Sequence, residues 1–145
     1  MRYVEDYAIG TTYELGFYRL EAEEIMEFGH KYDPQYYHTN SVLAKQSLFG
    51  ELVASGWQIT AIWMRLYVQS MLIDAAVEGS PGVDQLRWFS PVTPGSVLNG
   101  KLTIVNTSPS LSRPDCSILH KRGELFDVDG MLVMQLLLYS MFRKR

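Results

Sequence analysis

A chain of 145 residues with 47% apolar and 20% charged residues is long enough to bury one hydrophobic core and too apolar to remain disordered. Its formal net charge of −3 argues against nucleic-acid binding, which usually depends on a basic stripe. The single cysteine, Cys116, excludes an internal disulfide framework, and the first residues lack the apolar run of a signal peptide, so we expect a cytoplasmic protein.

The first third of the chain predicts a strand followed by a helix. Thr11 to Leu20 is rich in β-branched and aromatic residues, which is typical of a strand. From residue 21 to 32, apolar residues recur at helical spacing and acidic residues occupy the first turn, which favours a helix. Because Asp33 precedes Pro34 and a residue before proline disfavours the α region, the helix is expected to end there. Residues 36 to 54 are predicted to be mostly loop, with a short helix around 41 to 46.

The most apolar segment, Trp57 to Val77, predicts a long buried helix of roughly 30 Å. Its apolar residues lie on most faces, so the helix must be enclosed by other elements. Gln58, Arg65 and Asp74 interrupt the segment, and charges are costly in lipid, so we do not expect a membrane span. The sequence Gly-Ser-Pro-Gly at 79 to 82 is expected to end the helix.

The second half of the chain predicts antiparallel strands. They are expected at residues 84–89, 96–106, 116–126 and 131–142, and Asp127 to Gly130 is a hairpin signal between the last two. The simplest packing is one curved sheet around the long helix, an α+β arrangement in which residues 1–145 form a single domain. Such a sheet leaves its edges and one flank of the helix exposed, so we expect a homodimer or a higher assembly of dimers.

Two polar features are expected to meet at the start of the long helix. The first is Asp33 and His38, a carboxylate and an imidazole five residues apart. The second is the helix N-terminus, where Ser55 is a suitable N-cap and Gly56 lets an acyl group approach a free backbone N–H. This N–H would polarise a thioester carbonyl, while Asp33 and His38 would hold a water and exchange protons beside the adjacent carbon–carbon bond. The pattern indicates reversible hydration of an unsaturated acyl thioester.

These residues resemble the MaoC-like dehydratases, which include the (R)-specific enoyl-CoA hydratases. The resemblance covers nearly the whole chain and implies the hotdog fold, in which an antiparallel sheet wraps a central helix and the subunits usually dimerise. The segments that carry it are Asp-x4-His at 33–38, FGELVASGW at 49–57, Leu86-Arg87-Trp88, Pro91-Val92-x-Pro94-Gly95, Ser112-Arg113-Pro114 and the closing hairpin around Gly123-Glu124.

The resemblance also implies roles for individual residues. Asp33 and His38 would form the catalytic dyad, and the backbone N–H of Gly56 would bind the thioester carbonyl. The substrate would be an acyl thioester of coenzyme A or of acyl carrier protein, with no separate cofactor and no metal. Further residues expected to contact the substrate are Tyr36, Tyr37, Ser55, Trp57 and Met64.

The chain departs from the familiar hydratase pattern in two places. The motif Asp-x-Asn-Pro-x-His is replaced by Asp-Pro-Gln-Tyr-Tyr-His, so that Gln35 stands in place of the asparagine. Met64 occupies the position of a serine that these hydratases carry eight residues after the glycine. Two alternatives therefore stay open, since a fold does not fix a function. One is a hotdog thioesterase, and the other is an acyl-thioester binder without activity of its own or one half of a hetero-oligomeric enzyme.

Ordinary structural explanations exist for several of these residues. An aspartate before proline is often only a turn residue, and a glycine at a helix start can simply permit tight packing. His30 and His120 have no partner at metal-ligand spacing, which argues against a zinc site. Four basic residues could contact the phosphates of coenzyme A on grounds of charge alone: Arg87, Arg113, Lys121 and Arg122.

Overall fold

The chain folds into one antiparallel sheet whose concave face holds a helix. The computed structural model describes residues 1–145. Its strands are β1 (Thr12–Leu20), β2 (Val77–Trp88), β3 (Ser96–Pro109), β4 (Cys116–Phe126) and β5 (Leu132–Arg143). Its helices are α1 (Ala22–Tyr32), α2 (Tyr36–Thr39), α3 (Ser41–Ala44) and α4 (Gly56–Tyr67). The strand order is β1-β3-β4-β5-β2, and every neighbouring pair is antiparallel.

The core lies between α4 and the sheet. Burial alternates along β4 and β5, because successive side chains of a strand point to opposite faces. The apolar face of α4 fills the concave side, where Trp63 packs directly on Gly123 and a Cβ at that glycine would overlap the indole ring. The missing side chain at Gly123 therefore lets this helix lie close to the sheet. The α+β arrangement of a sheet wrapped around a helix is confirmed.

The central helix is shorter than the sequence predicts. It ends at Tyr67, one π-helical turn continues it over Val68–Leu72, and β2 has begun by Val77. No helix of the structure is long and apolar enough to cross a membrane.

The segment Gly79 to Gly82, predicted to end the helix, lies inside β2. Its two glycines have φ angles of 146° and 153°, and the pairing register shifts at both of them. These residues therefore form bulges in an edge strand, where a proline also costs no ladder hydrogen bond. The glycine and proline residues do mark an irregular backbone, but it consists of bulges within a strand and not of a turn after a helix.

The other predicted elements agree more closely. β1 and α1 each begin one residue later than predicted, and β4 has the predicted bounds. β3 continues three residues beyond the predicted end, to Pro109. The region predicted as loop contains α2 as well as α3, and Asn40 caps α3 by accepting from the backbone N–H groups of Val42 and Leu43.

One edge of the molecule is unusually exposed. β2 is the last strand of the sheet, and almost all of its residues are exposed. Large apolar side chains are also exposed on β2, on α4 and at the start of the π-helical turn: Trp57, Met64, Val68, Val83 and Trp88. Unpaired strand edges with apolar side chains are surfaces that proteins usually cover.

Candidate active site

A cavity of about 410 Å³ lies at the N-terminal end of α4. Its polar lining consists of Asp33, Gln35, His38 and Ser90, together with the backbone of Gly56. The rest of the wall is mainly aromatic and aliphatic: Tyr37, Phe49, Val53, Ala54, Trp57, Ile59, Trp88, Phe89, Pro91, Val92 and Val133. An apolar cleft with a few convergent polar groups is the usual form of a small-molecule site.

The end of α1 and the short helix α2 bring Asp33 and His38 together. Asp33 ends α1, with its backbone N–H donating to Gly29 O at 2.9 Å. After Pro34 the chain turns into α2, which carries His38 back toward the carboxylate. Gly29 allows this close turn, because a Cβ at that position would overlap the His38 backbone. As a result His38 Nε2 lies 3.3 Å from Asp33 Oδ2, and the His38 side chain is only 7% exposed.

The second ring nitrogen of His38 is fixed by the backbone. Its Nδ1 lies 2.6 Å from Val53 O, and a carbonyl oxygen can only accept a hydrogen bond. Nδ1 must therefore carry the proton, which leaves Nε2 as the nitrogen that can take up or release one. That nitrogen lies beside the Asp33 carboxylate, and both residues line the cavity. The arrangement is suited to proton exchange with a bound water.

Three polar groups hold the Asp33 carboxylate. Ser55 Oγ donates to Oδ2 at 2.7 Å, and Gln35 Nε2 donates to Oδ1 at 2.8 Å. Burial raises the pKa of Asp33, but the hydrogen bonds from Gln35 and Ser55 and the neighbouring His38 together lower it below its usual value. The side chain is therefore an ionised hydrogen-bond acceptor near neutral pH.

The start of α4 supplies a free backbone donor. Ser55 is the N-cap, and its Oγ accepts from Trp57 N–H at 3.3 Å while it donates to Asp33. The N–H of Gly56 donates to no acceptor in the chain, and this residue lines the cavity. The unpaired donor and the positive end of the helix dipole favour a partly negative oxygen at this point.

Gly56 also has the packing role that glycines at helix starts often have. The indole of Trp88 lies directly against it, and a Cβ would overlap the ring. Trp88 Nε1 donates to Thr60 Oγ1 at 3.0 Å, and that hydroxyl donates to Gly56 O at 3.0 Å. Gly56 therefore makes room for the Trp88 ring in the cavity wall and also leaves its own backbone N–H unpaired beside the cavity.

The predicted site residues fall into three groups. Asp33, His38, Gly56, Tyr37 and Trp57 line the cavity, and Ser55 lies directly behind Asp33, fully buried. Tyr36 lies outside the cavity, with its exposed ring packed edge-on against Tyr37. Met64 does not line the cavity either, since eight helical residues place it about 12 Å farther along α4.

Several lining residues were not foreseen as site residues. Gln35 was noted only as a departure from a motif, yet it contacts Asp33. The segment from Trp88 to Val92 forms one wall, and Ala54 N–H donates to Val92 O at 2.9 Å to hold that wall beside the helix start. The clearest available signal was the aromatic pair Trp88-Phe89 next to a proline-containing turn.

The structure also bears on the residues considered for metal binding and for contacts with phosphate. The structure contains no group of three or more His, Cys, Asp or Glu side chains that could hold a metal ion. Arg113 forms an ion pair with Asp115 at 2.8 Å. Lys121 is buried inside the sheet and is therefore not available to a phosphate, which corrects the interpretation based on charge alone.

Comparisons with known proteins identify the relatives of this chain. The model of the MaoC-like domain family matches residues 6–114. A MaoC-like dehydratase from Rhodospirillum rubrum is 35% identical, with a TM-score of 0.90 over 100% of this chain and 99% of that one. An (R)-hydratase from Pseudomonas aeruginosa is 18% identical, with a TM-score of 0.78 over 99% of this chain and 86% of that one.

The fold has a further parallel. A Mycobacterium tuberculosis protein described as a double hotdog fold is 14% identical, with a TM-score of 0.81 over 99% of this chain and 44% of that one. The family match spans most of the sequence, and the match to the Rhodospirillum rubrum structure is complete. This chain therefore belongs to the MaoC-like dehydratase family and adopts the hotdog fold.

Proposed function

We propose that this protein hydrates trans-2-enoyl thioesters to 3-hydroxyacyl thioesters and catalyses the reverse dehydration. The observation that carries the proposal is the Asp33–His38 pair, 3.3 Å apart, in the same cavity as the unpaired N–H of Gly56. Hydration of an enoyl thioester needs both features, because the Gly56 N–H polarises the carbonyl and the Asp33–His38 pair binds and deprotonates the water.

Gly56 supports the electronic part of the reaction. A thioester carbonyl oxygen that accepts from Gly56 N–H gains stabilisation as negative charge develops on it. The helix dipole of α4 adds to this effect. Attack at C3 moves the π electrons toward C2 and the carbonyl, so a donor placed at this oxygen stabilises the enolate-like transition state. The apolar walls formed by Trp57, Trp88 and Phe49 suit an acyl chain.

His38 supports the proton part of the reaction. When the ring is neutral and carries its proton on Nδ1, a water that donates to both Asp33 Oδ2 and Nε2 gives its proton to Nε2 as its oxygen bonds to C3. The resulting imidazolium then gives this proton to C2, which restores the neutral ring and completes the addition of water. Asp33 stays ionised throughout because its pKa is lowered, and its charge stabilises the imidazolium. Dehydration follows the same steps in reverse.

The test is one assay on the purified protein with two readouts. Short, long and branched trans-2-enoyl-CoA substrates are offered, and the enoyl absorbance and free thiol are followed together. We expect loss of absorbance without thiol release, abolished in an Asp33→Asn variant. Thiol release would instead show a thioesterase. Binding of the substrates without either signal would show a protein that holds acyl thioesters without converting them.

The same proposal includes a homodimer paired along β2. This edge strand is exposed along its length, and the exposed Trp57 of α4 packs against the exposed Trp88 of β2. Two copies joined along β2 would form one continuous sheet and cover those side chains. A covered edge would also enclose the cavity walls formed by Trp57 and Trp88.

Light scattering after size-exclusion chromatography tests the dimer. We expect twice the chain mass of 16.6 kDa for the wild type and a shift toward the monomer for Val83→Lys, because a lysine on the pairing strand repels its copy. Val105→Lys on β3 is a matched control, since Val83 is 42% exposed and Val105 is 43% exposed. A monomeric wild type would contradict this part of the proposal.

A further inference from the structure

A chain of hydrogen bonds reaches Asp33 Oδ1, the carboxylate oxygen that does not face His38. The hydroxyl of Tyr37 donates to Gln35 Oε1, and Gln35 Nε2 donates to Asp33 Oδ1 at 2.8 Å. Gln35 is the residue before α2, and Tyr37 lies in its first turn, so this short helix sets their spacing. Neither side chain takes part in the proposed proton transfer.

The direction of the Gln35 amide matters in this chain. One end of a primary amide only donates and the other only accepts, and an ionised carboxylate only accepts. Gln35 therefore stabilises Asp33 in one orientation and opposes it in the other. The Tyr37 hydroxyl donates to the oxygen end, which favours the orientation in which the nitrogen faces Asp33.

The ring of Tyr37 touches the second member of the dyad. It packs edge-on against the His38 ring, with centroids 4.6 Å apart, and against Phe49 at 5.2 Å. One side chain thus supports the imidazole directly and the carboxylate through Gln35. This geometry gives Tyr37 a role in addition to the substrate contact that the sequence predicts for it.

We infer that Gln35 and Tyr37 are positioning residues, which fix the rotation of the Asp33 carboxyl group so that Oδ2 faces Ser55 and His38. With Gln35 holding Oδ1, the carboxyl group cannot turn without losing hydrogen bonds at both oxygens. The consequence for turnover rests on the proposed hydratase function. The effect of the two residues on the pKa of Asp33 does not depend on that function, and it can be measured without substrate.

The first experiment is therefore an NMR titration of the Asp33 carboxyl carbon in the full-length protein. Tyr37→Phe keeps the ring against His38 and removes only the hydroxyl. We expect the pKa of Asp33 to rise in this variant, because the amide of Gln35 is then free to turn its oxygen toward the carboxylate. Tyr32→Phe, which removes an exposed hydroxyl outside the chain of hydrogen bonds, is the control and should leave the titration unchanged.

The second experiment measures turnover and tests whether Tyr37 acts through Gln35. We expect Tyr37→Phe to lower kcat about five- to tenfold with KM nearly unchanged, as for loss of one hydrogen bond. In a Gln35→Met background the same substitution should have little further effect, since its target is gone.

Two results would overturn the inference. One is an Asp33 titration that is the same in the wild type and in Tyr37→Phe. The other is an effect of Tyr37→Phe confined to KM, which would make it a substrate contact. If the wild type shows no hydration at all, the proposed function fails, while the titration still decides whether the two residues position Asp33.

Discussion

Replacing His38 by glutamine should lower kcat for hydration by about 10²- to 10⁴-fold, the usual contribution of a general base. The substitution is conservative for the fold, because an amide N–H can still donate to Val53 O, as Nδ1 does at 2.6 Å. What it removes is the ability of the Nε2 position to accept a proton. KM should change little, since the apolar walls of the cavity are untouched. Steady-state rates on an enoyl-CoA substrate measure both constants.

The matched control is His30→Gln on the exposed face of α1, which should keep wild-type rates. Asp33→Asn should be about as damaging as His38→Gln, and the double variant should be little worse than either, because the two residues act as a unit. Circular dichroism and thermal unfolding of each variant exclude loss of the fold as the cause. Substantial turnover by His38→Gln would show that proton transfer runs through another group.

The parts of the fold that were predictable from sequence are those with a local pattern. β4 was predicted with its observed bounds because a loop rich in serine and proline precedes it and a hairpin signal follows it. β2 was predicted only from residue 84 onward, because an exposed and bulged edge strand has no alternation to detect. Its first half was attributed to the helix and to a turn, although the same glycines mark bulges.

A similar limit applies to the candidate site. Asp33, His38 and Gly56 could be singled out because short spacings and a helix start carry their chemistry. The role of Gln35 depends on which way its amide points, and a sequence does not specify that. Trp88 enters the site through contacts with Gly56 and Thr60, about thirty residues away in the chain. Such contacts follow from the curvature of the sheet around α4.

The location of Lys121 could not be inferred from its charge, because its side chain occupies an inward, buried position of β4. Its side chain is 1% exposed, and its Nζ has a single hydrogen-bond acceptor, Leu119 O at 3.2 Å. The ammonium position lies over the rings of Tyr67 and Phe142, at 5.6 and 5.4 Å from their centroids, and no carboxylate pairs with it. Burial lowers the pKa of Lys121 from 10.5 to about 7.

This lowered pKa makes the free energy of unfolding depend on pH. Above pH 10.5 the lysine is neutral in both states and has no ionisation effect. As the pH falls from 10.5 to about 7, the unfolded chain binds a proton that the folded chain does not, so the folded state loses stability. Below about pH 7 both states are protonated and the loss is constant, at about 5 kcal/mol.

Replacing Lys121 by methionine should therefore stabilise the protein at neutral pH. Methionine has a similar length and no charge, so the variant should gain about 2–5 kcal/mol at pH 7 after the lost cation–π contacts are allowed for. The gain should shrink steadily toward pH 10. Urea unfolding at pH 7 and pH 10, with equal protein concentrations, measures this gain in the free energy of unfolding.

The control is Lys101→Met, at an outward position of β3, which should change stability by only about 0.5 kcal/mol at either pH. A gain for Lys121→Met that is equal at both pH values would assign the effect to packing and not to the buried charge.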